Sequence, residues 1–160
     1  MFSATKIKTA YILVGIPGSG KSTWAESQKW FEDCAYVSTD FHIDFYAKTV
    51  GKTYNEVFEE HMPIAIDNML DDLSEAKWQE LDIIWDQTST TSMSRAKKIH
   101  MLQGYKKIAV VFRIPPAEEL DRRLASRPGK VIPRKVVDDM IKNFEEPTLD
   151  EGFDDIWWAE

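Results

Sequence analysis

The chain has 160 residues, 43% hydrophobic and 29% charged, with a formal net charge of −7. This composition excludes a disordered or fibrous chain and supplies enough apolar side chains for one core, so residues 1–160 are expected to form a single domain. The acidic balance argues against a broad, sequence-independent grip on nucleic acid but leaves room for a local basic channel. One cysteine, Cys34, excludes an intrachain disulfide and a cysteine-based zinc site, and is expected to act as a small buried hydrophobe. No apolar run is long enough to cross a bilayer, and "MFSATKIKTA" lacks the apolar stretch of a signal peptide. A cytoplasmic protein with no membrane partner is expected.

Along the chain, apolar runs alternate with helical patterns. "TAYILVGI", Thr9 to Ile16, reads as a buried first strand, because its centre is continuously apolar and β-prone. A helix is predicted over Lys21 to Phe31, and a short strand over Cys34 to Thr39. A long helix is expected from about Thr53 to Ala76, with Ile66, Met69, Leu70 and Leu73 at helical spacing and Pro63 marking a start or kink. "LDIIWD", Leu81 to Asp86, reads as a third strand, followed by a helix over Ser92 to Gln103 that Gly104 ends. Lys106 to Ile114 is the longest predicted strand, with helices at Ala117–Arg127 and Pro133–Phe144. In the last of these, Val136, Val137, Met140, Ile141 and Phe144 make an apolar face. The alternation predicts an α/β fold of three layers, a P-loop NTPase fold with a parallel sheet and helices on both faces. Ligands in such folds bind at the carboxyl ends of strands, where Gly15, Asp40 and Asp86 each fall.

"GIPGSGKS", Gly15 to Ser22, fits the pattern G-x-x-x-x-G-K-[ST] between an apolar strand and a helical pattern. Gly15, Gly18 and Gly20, with Pro17 and Ser19 between them, free the backbone to wrap a phosphate with its N–H groups. Lys21 supplies positive charge to the β- and γ-phosphates of ATP, Ser22 a hydroxyl to Mg²⁺, and Thr23 continues the loop into the helix. Asp40, past the second strand, has two readings: a carboxylate that accepts a proton from an attacking hydroxyl, or a helix N-cap in "STD". Asp86 closes the third strand as a carboxylate that helps hold Mg²⁺, or as an ordinary turn residue. "ELDRRLASRPGK" puts Arg122, Arg123 and Arg127 on a short helix that breaks at Pro128–Gly129. It reads as an arginine-bearing lid over residues 118–132 or as a solvated charged helix. Guanine-reading N-K-x-D is absent, so a small phosphotransferase is favoured over a switch.

"GIPGSGKSTWAE", "YVSTD", "IIWDQTS", "ELDRRLASRPGKVIP" and "FEEPTLDEGFDDI" together resemble, in order, the kinase domain of bacteriophage and animal polynucleotide 5′-hydroxyl kinases. The resemblance implies Asp40 as general base, Lys21 and Ser22 as phosphate and Mg²⁺ residues, and Asp86 as the strand-ending aspartate. It further implies Arg127 as the lid arginine on the transferring phosphate, with Arg123 one turn earlier. The phage enzymes carry an arginine three residues after the base, where this chain has Ile43; His42 is a candidate substitute. No D-x-D-x-[TV] phosphatase pattern occurs. Phe41, Phe45, Tyr46 and Tyr54 are candidates to stack on an acceptor base or to fill core, and Arg95, Lys97, Lys98 and His100 give the following helix a basic character.

The expected activity is ATP-dependent phosphorylation of a hydroxyl on nucleic acid, with DNA favoured and a 5′-hydroxyl as the family's usual acceptor. The alternatives are 5-hydroxymethyluracil in DNA, as in similar small phage kinases acting in the host cytoplasm, a nucleoside, sugar or antibiotic hydroxyl, and a non-catalytic nucleotide-binding role. Trp157 and Trp158 are expected to close the domain.

Overall fold

In the computed structural model, which describes residues 6–159, five strands form one wholly parallel sheet in the order β2–β3–β1–β4–β5. They are β1 (Thr9–Val14), β2 (Cys34–Val37), β3 (Asp82–Trp85), β4 (Lys106–Val111) and β5 (Asp155–Trp158). Parallel neighbours demand crossovers. The connections carry α1 (Lys21–Ser27), α2 (Thr39–Val50), α3 (Tyr54–Trp78), α4 (Ser92–Met101), α5 (Ala117–Ala125) and α6 (Arg134–Lys142). The architecture is the α/β three-layer arrangement that the alternating pattern predicts. No described helix is long and apolar enough to cross a membrane. The N-terminal stretch judged against a signal peptide begins at residues 1–5, outside the described residues.

Side chains alternate across a strand, so β1 feeds two cores. Ala10, Ile12 and Val14 pack with Val37, Met69, Leu73, Ile83, Trp85 and Ala109 on one face. Leu13 packs with Ala25, Ile84, Val110 and Phe112 on the other, where Tyr11, Trp24 and Trp30 add aromatic surface. Because both faces are covered, the central strands need apolar residues at every position. That is why they are continuous runs in the sequence. Cys34 is half-buried beside this second layer rather than fully buried, with its thiol pushed up to about 11 by burial and by Asp82 and Asp33.

Several boundaries differ from the expectations for physical reasons. Helix α1 stops at Ser27 because the Ser27 hydroxyl and the Gln28 side chain both donate to the Trp24 carbonyl, at 2.7 and 3.0 Å. Gln28 itself is extended and a short 3-10 turn, Phe31–Asp33, follows. Helix α2 has no counterpart in the predicted elements. Its buried stripe is narrow, essentially Ile43 and Ala47, while Phe41 and Phe45 face solvent, so the sequence lacks a clean amphipathic pattern. Helix α3 opens on a capping box between Thr53 and Glu56 and runs through Pro63, which sits on an exposed position. There the carbonyl left without a helical donor can reach water. Met69 and Leu73 enter the core, whereas Ile66 is exposed; in α6 the same holds for Val137 against Val136.

Strand β5 is the other unforeseen element. "DIWW" has no alternation of its own and exists through pairing with Ile108–Val111. The Trp157 ring lies 5.5 Å from that of Tyr11, and the Arg113 guanidinium sits 5.3 Å over Trp158. The two indoles thus finish the sheet edge, each still partly exposed.

Candidate active site

The segment Gly15–Ser22 links β1 to α1 at the carboxyl edge of the sheet. The Gly15 N–H donates to the Thr88 carbonyl at 2.9 Å, across the loop that follows β3. A Cβ at Gly15 would stand 2.5 Å from the Ser19 hydroxyl and 3.0 Å from the Phe112 Cβ, so only glycine fits between them. Gly18 and Gly20 adopt φ of 83° and 97°, which favours glycine again. Pro17 and Ser19 are buried within the loop, and Thr23 is exposed on the first turn of α1. Among the described residues, the N–H groups of Gly18, Gly20, Lys21, Ser22 and Thr23 donate to no carbonyl or side chain. The buried Ser19 hydroxyl likewise has no partner. A run of free donors in a glycine-rich turn suits an anion of phosphate geometry.

Lys21 folds its ammonium back onto the Ile16 carbonyl at 3.0 Å. Burial lowers its pKa to about 8, with Arg127 and Lys130 pushing the same way and Asp86 and Asp40 opposing. A bound triphosphate favours the charged ammonium. Nucleotide binding is therefore expected to take up a proton near pH 8, roughly half an equivalent at the midpoint, and to weaken as pH rises beyond it. Calorimetry of Mg·ADP binding in buffers of different ionisation heat measures this directly. The Lys21→Met protein should show no such uptake.

Asp86 follows β3 and is buried, its N–H on the Val37 carbonyl at 2.8 Å. Its Oδ2 accepts from the Ser22 hydroxyl at 2.8 Å and from the Tyr36 hydroxyl. Burial and the Asp86 charge push the Tyr36 phenol up, so it stays a donor. Two hard oxygens side by side at the foot of the loop fit Mg²⁺, which binds through one or two protein oxygens and completes its shell with water and phosphate.

Ser38, not Asp40, caps α2: its hydroxyl accepts from the Phe41 N–H at 3.3 Å. Asp40 lies in the first turn with a half-exposed carboxylate. Its Oδ1 accepts from the Tyr54 hydroxyl at 2.6 Å and its Oδ2 from the Lys130 ammonium at 2.7 Å. Burial alone would raise this carboxyl, but Lys130, Tyr54 and the charge of Lys21 together hold it below the ordinary aspartate range. So lowered, the carboxyl favours its ionised form.

On α5, Glu119 gathers both Arg122 and Arg123, and Arg123 also donates to the Gly18 carbonyl at 3.1 Å. Arg123 is thereby seated on the phosphate loop itself. Arg127 lies past the end of α5, half-buried, and has no carboxylate within 4.0 Å among the described residues. Its charge reaches Lys21, Asp44 and Tyr54. The segment after β4 thus touches the phosphate loop through Arg123 and reaches Asp40 through Lys130.

Comparison with known proteins fits this geometry. The family model AAA_33, an AAA domain, matches residues 11–147. The chain belongs to the AAA domain family. It is similar to polynucleotide kinase-like P-loop proteins. The bifunctional polynucleotide phosphatase/kinase of Schizosaccharomyces pombe is 26% identical over 160 residues, covering 97% of this chain and 34% of its own. The chain therefore spans about a third of that curated relative. A chain of the Pnkp1/Rnl/Hen1 RNA repair complex superposes with a TM-score of 0.65 at 23% identity, over 88% of this chain and 45% of its own. Shikimate kinase from Acinetobacter baumannii, in complex with shikimate, gives 0.56 at 18% identity over 96% and 84%. The shared fold is that of P-loop kinases.

Other side chains of this AAA domain stand away from their expected roles. Arg95 and Lys98 do not form a basic surface: Arg95 is 0% exposed, and Lys98 is buried over the Trp85 ring at 5.5 Å. Burial, with Lys97 and Arg95 nearby, lowers the Lys98 ammonium to about 8. Lys97 and His100 remain exposed. Ile43 is core, packed with Ala47, Tyr54, Val57 and Ala65, and presents nothing to the surface. His42 is engaged by Asp72 of α3 at 2.6 Å. Of the candidate stacking rings, Tyr54 is buried and bonded to Asp40, and Tyr46 stacks on His61 at 3.9 Å. Phe41 and Phe45 stay exposed, 54% and 65%, with ring centres 6.5 Å apart. Lys130 belongs to no motif; what marks it in the sequence is its place directly after the Pro128–Gly129 break.

Proposed function

We propose that this AAA domain is an ATP-dependent kinase that transfers the γ-phosphate to a hydroxyl on nucleic acid, with Asp40 as general base. The carrying observation is the Asp40 carboxylate, half-exposed, fixed by Tyr54 and Lys130 and within reach of the Lys21 charge. A protein that only binds nucleotide has no use for such a group. In this reading the backbone N–H groups of Gly18 to Thr23 and the Lys21 ammonium orient the phosphates. Ser22 and Asp86 would hold Mg²⁺, which would neutralise charge on the phosphates. Arg123 and Arg127 offset charge that grows on the transferring group. Asp40 accepts the proton of the attacking hydroxyl as the new O–P bond forms and the bond to the ADP oxygen breaks. The relative from S. pombe and the RNA repair complex support a polynucleotide acceptor.

Ile43 favours a second acceptor. With that position sealed in the core, nothing there grips an acceptor strand as the family arginine does. A hydroxymethyl group on a pyrimidine in DNA, extruded toward the exposed rings of Phe41 and Phe45, is the acceptor this second reading names. Label transfer from γ-labelled ATP with Mg²⁺ separates the two. One oligodeoxynucleotide carries a free 5′-hydroxyl; the other is 5′-phosphorylated and contains internal 5-hydroxymethyluracil. Label on the first supports the 5′-kinase, and label on the second supports base modification. Label on neither, with Mg·ADP still bound, overturns the nucleic-acid reading in favour of a small-molecule hydroxyl.

A further inference from the structure

Lys130 is 13% exposed, unusual for a lysine, and it is not there by accident of packing. The backbone on each side of it is fastened to the first turn of α3. The Asn55 N–H donates to the Gly129 carbonyl at 3.0 Å, and the Asn55 side chain bonds both the N–H and the carbonyl of Val131, at 2.8 and 2.9 Å. Gly129 has φ of 72°, and a Cβ there would meet the Thr53 Cβ at 2.7 Å. So fixed, the loop aims the Lys130 ammonium 4.2 Å from the centre of the Tyr54 ring and 2.7 Å from Asp40 Oδ2. The same Tyr54 donates its hydroxyl to Asp40 Oδ1.

We infer that Lys130 is a positioning residue that ties the lid to the base, its ammonium keeping the Asp40 carboxylate in place and ionised only while the lid loop is seated on α3. This rests on the reading of Asp40 as base. Each carboxylate oxygen accepts one bond here and keeps a lone pair for an incoming hydroxyl. Arg127 lies three residues before Lys130, so one seating of the loop both brings an arginine toward the phosphates and readies the base opposite. The charged and titratable groups around Asp40 are Lys130 and Arg127 from the lid, Lys21 from α1, Tyr54 from α3 and Asp44 from α2 itself. Of these, Lys130 is the cation in direct contact.

The test is a pH titration of the Asp40 side-chain carboxyl by ¹³C NMR, its signal assigned by its loss in Asp40→Asn. Lys130→Met and Lys130→Gln remove the charge, and Lys130→Arg keeps it. Folding is checked by Mg·ADP affinity. The midpoint should rise by about one to three pH units in both neutral variants and stay low in Lys130→Arg. With an acceptor in hand, the acid limb of the kcat/KM profile should move by the same amount. An unmoved midpoint in either neutral variant that still binds Mg·ADP overturns the proposal. Phosphotransfer by Asp40→Asn separates this from the reading beneath it. Transfer retained with a moved midpoint removes Asp40 as base but leaves the coupling; transfer lost with an unmoved midpoint does the reverse.

Discussion

Arg95→Met is expected to destabilise the fold by about 3–5 kcal/mol, visible as a lower urea midpoint with an unchanged slope. The Arg95 guanidinium has no solvent exposure and spends its donors inside the protein. Its Nε and Nη2 donate to the two carboxylate oxygens of Glu151 at 2.8 and 3.2 Å, and its Nη1 donates to the Ser89 carbonyl at 2.9 Å. Removing it strands a mostly buried carboxylate and a carbonyl together, which is the costly way to break such a pair. Replacing both partners by apolar residues, Arg95→Met with Glu151→Leu, should recover much of the loss. The pH dependence has a definite sign. Burial raises the Glu151 carboxyl, but Arg95 and the Thr148 N–H outweigh it and hold the pKa below its ordinary value. A depressed carboxylate stabilises above the unfolded pKa and loses that contribution as pH falls through the folded one. The native protein should therefore weaken on acidification below the ordinary glutamate range, and Arg95→Met should lack that part of the slope.

Asp40→Asn is expected to lower phosphotransfer by about 10²–10⁴-fold while Mg·ADP affinity holds, because the amide keeps the shape but cannot take a proton. Initial rates with γ-labelled ATP and saturating acceptor measure it. The loss should fall on kcat rather than on KM for ATP, since Asp40 touches Tyr54 and Lys130 and not the phosphate loop. A rate within a factor of a few of the native protein would assign the proton to another group.

What the sequence discloses and what it hides divide along chain distance. The phosphate loop is legible because its glycines and Lys21 act within one turn of backbone. The three central strands are legible because coverage on both faces demands unbroken apolar runs. Arg95 is opaque, since the carboxylate that turns it from a surface cation into a buried brace lies 56 residues away. Lys130 is opaque for the same reason, at 90 residues from Asp40. Asp40 itself was half legible. Its place after the second strand marks it, but that Ser38 takes the cap and that Tyr54 approaches from α3 is visible only in the fold.

The loop after β3 has a consequence for the order in which the protein becomes competent. Its three successive carbonyls, Thr88, Ser89 and Thr90, are taken by Gly15 of the phosphate loop, by Arg95 and by the Glu145 N–H. Arg95 in turn is held by Glu151. A chain emerging from the ribosome that stops short of Glu145 thus contains every residue of the phosphate loop and lid but lacks the two late contacts that brace the loop's neighbour. The brace beside the phosphate loop is thus completed only when residues 145 to 151, far along the chain from the loop itself, have joined the fold.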